Sequence, residues 1–411
     1  MAGPLAHIRV LDLSRVLAGP WAGQNLADLG AEVIKVERPK VGDDSRAFGP
    51  PWVQDKDGNA TKDSAYFTSA NRGKKSITVN VAKPAGQELI RALARECDVL
   101  IENYKHGDLA RYGLGYDDLK SVNPGLVYCS VTGFGQTGPY RERPGYDFMI
   151  QGMGGMMSVT GEPDGAPGGG PQRAGVPIAD IITGMYASIA ICAALANRAQ
   201  PGPGFGKGQH LDLALLDSQI ALLAYQNTNY FSTGKPPGRI GNLHPNIVPY
   251  QPFRSSDGEV IVACGNDNLF RKFCEAAGRP ELVQDPRFAT NGKRVENRVE
   301  MTRQIQEFFG RKSTAEWLAL LECAGVPNGP INNIAQVFEE PQVKARGVRI
   351  ELEHTAAGKL PLVSSPMRFS GTPLEYRMAP PLLGEHTDQV LKERLQLDET
   401  AIAKLRADGV V

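Results

Sequence analysis

The chain has 411 residues, with 45 Lys plus Arg balanced by 45 Asp plus Glu and 41 % hydrophobic side chains. Zero net charge argues against nucleic acid or a membrane surface as the main partner, while leaving room for a local basic pocket. The 46 glycines and 30 prolines make up about 18 % of the chain, against roughly 12 % in average usage, but they are spread among periodic apolar segments and read as turns and sites of close backbone approach.

Taken in chain order, IRVLDLS (8–14) is β-branched and apolar, as a buried parallel strand is. A helical stretch from about Trp21 to Leu29 ends at Gly30, and AEVIKVE (31–37) is the next strand, giving a βαβ unit. SITVNV (76–81) is a further strand. Pro84 opens a helix with Leu89, Ile90, Leu93 and Ala94 as its apolar stripe. CDVLIEN (97–103) and GLVYCSVTGF (125–134) are strands again, and the alternation predicts a doubly wound α/β domain.

From 178 to about 232 the chain reads as mostly helical, broken by the turn PGPGFGKG (201–208) and the short strand QHLDLAL (209–215). The Pro-, Gly- and Asn-rich segment 235–253 reads as a crossing or linker. GEVIVACG (258–265) and helices near 268–277, 298–310 and 313–324 predict a smaller α+β domain. RIELEH (349–354) is a strand and 385–408 is helical. The six cysteines form no C-x-x-C pair and the histidines do not cluster near them, so neither a metal site nor a disulfide scaffold is expected. The chain does not open on a signal peptide pattern. Its longest mostly apolar run, about 181–196, falls short of the ~20 residues that span a bilayer. A soluble cytoplasmic protein with no membrane or nucleic-acid partner is the expectation.

The turn RVLAGPWAGQNLADLG (15–30) holds three glycines without a complete nucleotide fingerprint. It is either a tight strand–helix turn or a place where helix-start N–H groups hold an anion. Arg38 follows the second strand, Arg72, Lys74 and Lys75 precede the third, and Arg111 follows the fourth, just beyond Asn103 and Tyr104. Ligands of parallel sheets sit beyond the carboxyl ends of strands, so Arg38 and Arg111 could meet phosphates there, with Tyr104 as a stacking face. Surface charge accounts for each of them equally well. Asp180 begins a long apolar helix after the glycine-rich 161–175. By pattern alone it is a helix-start carboxylate stabilised by the dipole, and the same position suits an accessible nucleophile.

Six ordered blocks then carry a resemblance over essentially the whole chain. LAGPWAGQNLADLGAEVIKVERPKVGDDSR (17–46), FTSANRGKKSITVNV (67–81), VLIENYKHGDLARYGLGYDDL (99–119), CSVTGFGQTGPYRERPGYD (129–147), VPIADIITGMYA (176–187) and PLLGEHTDQVL (381–391) resemble class III CoA-transferases of the formyl-CoA transferase and carnitine CoA-transferase type. The resemblance implies a Rossmann-like large domain built from both chain ends, an inserted smaller α+β domain and an interlocked homodimer. The corresponding bounds are 1–200 for the first part of the large domain, 201–225 for a linker helix, 226–330 for the small domain and 331–411 for the return.

The family's nucleophilic aspartate falls on Asp180. Its CoA contacts carry over to Val16, Ala18, Arg38, Arg72, Lys74, Lys75, Asn103, Tyr104 and Arg111, and Tyr146 matches a tyrosine at the thioester end. CoA thioester and a small carboxylic acid are then the substrates, and no permanently bound cofactor or metal is implied. Leu17 and Pro144 depart from the formyl-CoA member, which puts an oxalate-type acceptor in doubt. The segments 241–253, 325–343 and the end GVV look closest to the branch using succinyl-CoA and glutarate, with Arg173, His244 and Asn246 as candidates for a second carboxylate. The alternative is a 2-methylacyl-CoA racemase, whose relatives carry Gly-His-Asp where this chain has Gly145, Tyr146 and Asp147, so one of two bases would be missing.

Overall fold

The computed structural model describes residues 3–411. Two compact units divide them. Unit 1 comprises the chain up to Met156, Ala174–Thr228 and Lys344–Val411, and unit 2 comprises Met157–Arg173 and Asn229–Val343.

Unit 1 is built on β1 (Arg9–Asp12) and β2 (Glu32–Glu37), a small hairpin of β3 (Trp52–Gln54) and β4 (Ala60–Ser64), and then β5 (Lys74–Thr78), β6 (Val99–Glu102), β7 (Val127–Thr132) and β8 (His210–Ala214). Six of these form one sheet in the order β5-β2-β1-β6-β7-β8, every pairing parallel. Counted among themselves the six run 3-2-1-4-5-6, so the order reverses between β1 and β6 and opens a crevice above their carboxyl ends.

Strand alternation sends β1 side chains to both faces. Leu11 and Leu13 join a core with helix Pro84–Glu96 and the C-terminal helices Thr387–Leu395 and Glu399–Ala407. Ile8 and Val10 join a second core with helices Ala18–Asp28 and Ile178–Ala199. The chain's last segment therefore covers one face of the sheet that its first segment begins.

Ile178–Ala199, at 22 residues, is long and apolar enough to cross a membrane by length and composition. In unit 1 it packs as a core helix, with Ala179, Thr183, Ala187, Ile191 and Ala194 buried. Gly184 permits its close crossing with helix Ala18–Asp28. A Cβ there would stand 2.5 Å from the Ala18 carbonyl oxygen and 3.0 Å from Trp21 Cβ.

Residues 201–225 differ from the expected linker helix. His210–Ala214 extends the main sheet beside β7, and the helix Leu215–Leu222 follows directly. The short strand read at 209–215 is the one that pairs there, and it interrupts the helix. Unit 2 also differs from the expected 226–330. It takes in the glycine-rich 157–173 and runs to 343. Its sheet has the order β11-β10-β9, from β9 (Tyr250–Arg254), β10 (Glu259–Ala263) and β11 (Asn328–Pro330). Phe253, Phe270, Phe273, Phe309 and Trp317 fill its core, and Trp317 Nε1 donates to the Phe309 carbonyl at 2.7 Å. The hairpin of β12 (Arg349–His354) and β13 (Gly358–Val363) belongs to unit 1.

Candidate active site

The crevice between β1 and β6 is a cleft within unit 1. Arg15–Ala18 after β1, Asn103–His106 after β6, and Thr132–Gly133 at the end of β7 line it, together with Arg141, Arg143, Tyr146 and Asp180.

Val16 is the turning point. Its φ of 70° is left-handed, a conformation that costs a β-branched residue about 1–3 kcal/mol and persists only where neighbours enforce it. The enforcing groups come from the loops that follow two other strands, β2 and β6. Asp43 Oδ1 accepts the Val16 N–H at 3.0 Å. Asn103 brackets Arg15, accepting its N–H at 2.8 Å and donating to its carbonyl at 2.7 Å. Asp43 in turn is held by Lys35 Nζ at 2.8 Å, which also donates to the Ser14 carbonyl at 2.9 Å. Both side chains of that pair are fully buried. Burial alone would raise the Asp43 carboxyl, but Lys35 and the N–H groups of Ser45 and Val16 hold it well below the usual carboxylate range.

Asp180 lies half-buried in the first turn of Ile178–Ala199, whose N-cap position is Pro177 and has no side-chain cap. Asp147, from the helix Asp147–Met153, reaches across instead. Its Oδ1 accepts the Ala179 N–H at 2.8 Å and the Asp180 N–H at 3.4 Å. Burial, and then the neighbouring Asp147 carboxylate, push the Asp180 carboxyl up to about 7. Tyr66 also feels this site: burial and then the Asp180, Asp147 and Asp43 carboxylates push its phenol up to about 12.

Of the residues singled out from sequence, Val16, Ala18, Asn103, Tyr104, Tyr146 and Asp180 are brought together in the cleft. Arg38 and Arg111 stand at its margin. Arg38 pairs with Asp44, and Arg111 with Asp108, both carboxylates of the cleft wall. Arg72, Lys74 and Lys75 do not line it. They stand at the amino end of β5, opposite the carboxyl ends that form the cleft, and partners from distant sequence engage them. Arg72 forks onto Asp28 at 2.5 and 2.8 Å and donates to the Val363 carbonyl. Lys74 is fully buried on Asp12 at 2.9 Å, and Lys75 pairs with Glu32 at 2.8 Å. Arg173, His244 and Asn246 belong to unit 2. Sequence reasoning passed over Asp43, Lys35, Tyr66, Asp147, Arg141 and Arg143. The last two sit in the quoted block 129–147 and were open to the same strand-end argument as Arg38.

A cleft with several cations at its rim, helix-start N–H groups beneath and one poorly stabilised carboxylate suits an anionic ligand and a nucleophilic aspartate. The family model of CoA-transferase family III matches residues 5–387. The succinate–glutarate CoA-transferase of Agrobacterium fabrum is 50 % identical over 398 residues, 97 % of either chain. The human succinyl-CoA:glutarate CoA-transferase is 45 % identical over 408 residues, 99 % of this chain and 90 % of that one. Among solved structures, a CAIB/BAIF family protein from Brucella suis matches with a TM-score of 0.83 at 49 % identity, covering 96 % of this chain and 100 % of that one. The chain therefore belongs to CoA-transferase family III and is a CoA-transferase.

Proposed function

We propose that the enzyme moves CoA from succinyl-CoA to glutarate or a similar short diacid, with Asp180 as the nucleophile. The observation that carries this reading is Asp180 itself, a carboxylate in the first turn of a helix, facing the cleft at the sheet's switch point, in surroundings that raise its basicity. The names and identities of the relatives support the donor and the acceptor class.

A carboxylate oxygen of Asp180 attacks the donor thioester carbonyl, the C–S bond breaks, and a mixed anhydride and CoA thiolate result. The thiolate attacks the Asp180 carboxyl carbon and expels the donor acid, leaving an aspartyl–CoA thioester. The acceptor carboxylate then attacks that thioester, forming a second anhydride, and the freed thiolate takes the acceptor acyl group and restores Asp180. Each step exchanges one activated acyl bond for another, so no external energy source enters. Arg15, Arg141 and Arg143 supply charge for CoA's phosphates at the rim.

The substrate test is incubation with succinyl-CoA and a panel of acids, with chromatographic detection of new thioesters. Glutaryl-CoA is the expected product, and failure to transfer to any diacid overturns the substrate assignment. Asp180→Ala should abolish exchange, and retained exchange overturns the nucleophile. We further infer an interlocked homodimer, supported by the exposed Met185, Tyr186 and Ile189 on Ile178–Ala199. Sedimentation should then give twice the 44.3 kDa chain mass.

A further inference from the structure

We propose that Asp147 is a positioning residue of the transfer reaction: it caps the helix that bears Asp180 and holds a fixed negative charge beside the nucleophile, so that acylation of Asp180 relieves a repulsion. The inference rests on Asp180 being the nucleophile.

The first N–H groups of a helix have no partner within it and need one from outside. Pro177 has no side-chain acceptor to offer, and Asp147 meets the need from a different helix through Oδ1. Its other oxygen, Oδ2, accepts Gln151 Nε2 at 2.7 Å. Gln151 is itself fully buried, and its Oε1 accepts the Ala174 N–H at 2.9 Å. Asp147 thus has both oxygens engaged and ties down the strand of chain that enters the helix.

The two carboxylates are treated unequally. Asp147 receives hydrogen bonds from two backbone N–H groups and an amide. Asp180's own carboxylate accepts none among the described residues. Asp147 faces it from helix Asp147–Met153 and the Tyr66 phenol from helix Ala65–Thr68, while Arg15, Arg141 and Arg143 line the cleft more widely. The helix-start N–H groups are bonded to Asp147, and repulsion from it falls on Asp180. In the anhydride and in the thioester the Asp180 carboxyl is uncharged, so the covalent states escape a repulsion that the resting state bears.

Two variants separate capping from charge. Asp147→Asn keeps an acceptor oxygen for the two N–H groups, gives up the Gln151 Nε2 bond and removes the charge, whereas Asp147→Ala removes all three. With succinyl-CoA and no acceptor, intact-mass spectrometry reads the fraction of enzyme carrying covalent CoA. Asp147→Asn should lower the ratio of covalent to free enzyme by about tenfold and move the acidic limb of kcat/KM down by about one pH unit, the same interaction read two ways. Asp147→Ala should in addition lower kcat with little change in the KM of the CoA thioester. A wild-type adduct ratio and a wild-type acidic limb in a folded Asp147→Asn enzyme overturn the proposal. If Asp180→Ala still forms the adduct, the nucleophile reading beneath it fails instead.

Discussion

Replacing Asp180 with Asn should remove activity and yet make the protein harder to unfold above neutral pH. The Asp180 carboxyl titrates at about 7 in the folded chain, against an ordinary value of 3.8. A group raised in this way costs no stability below its unfolded value, where both states hold the proton. The cost grows as pH rises, because the folded state must ionise the group where charge is disfavoured, and it is complete once pH passes the folded value. A shift of about three units amounts to about 4 kcal/mol. The cleft admits water to this half-buried side chain, and solvent screening reduces the figure to about 2 kcal/mol. Asp180→Asn escapes the cost, so its advantage should rise from under about 1 kcal/mol at pH 5 to about 2 kcal/mol at pH 8. With an unfolding entropy of about 2.1 cal/mol/K per residue, that is about 2 °C in Tm if the chain unfolds as one unit. Calorimetry of both proteins at the two pH values measures it. An advantage that is equal at pH 5 and pH 8, or a wild type that is more stable at pH 8, refutes the reasoning.

Three further outcomes follow from the packing. Asp43→Asn strips the charge from the fully buried Lys35 pair and should cost about 3–5 kcal/mol; a urea midpoint close to wild type would contradict it. Gly184→Ala drives a Cβ into the Ala18 carbonyl and should cost about 1–3 kcal/mol, with a fall in kcat because Asp180 lies one turn earlier; unchanged melting and turnover would show that the two helices can part without loss. Gln219 is fully buried with neither amide atom partnered, so Gln219→Leu should be neutral or stabilising by about 1 kcal/mol, and a clear drop in Tm would reveal an unrecognised partner.

Much of the frame was legible because β1, β2, β6 and β7 are buried nearly throughout, which writes itself into sequence as short runs rich in Val, Leu and Ile. β5 was read as starting at Ser76, whereas it starts at Lys74. Two lysines read as loop, and their neutralising partners, Asp12 and Glu32, lie 62 and 43 residues away. The same long reach hid part of the site. Val16, Asn103 and Asp180 sit in local strings that point to them. Asp43, Lys35 and Asp147 act on groups contributed by other elements, and no spacing rule connects residue 147 to residue 179. Arg72 was misplaced for the converse reason: a basic residue near a strand looks the same in sequence whether it meets a ligand or, as here, an internal aspartate.

The cap on the nucleophile's helix has a consequence for repeated use. A carboxylate that closes its own helix end keeps its lone pairs tied to backbone N–H groups, and modifying it covalently would leave those donors stranded and the first turn prone to fray. Here residue 147 does the closing, and the two N–H groups remain satisfied whatever is attached at residue 180. In the proposed cycle Asp180 is acylated, thioesterified and released at each round, and the scaffold beneath it has no need to unwind and re-form.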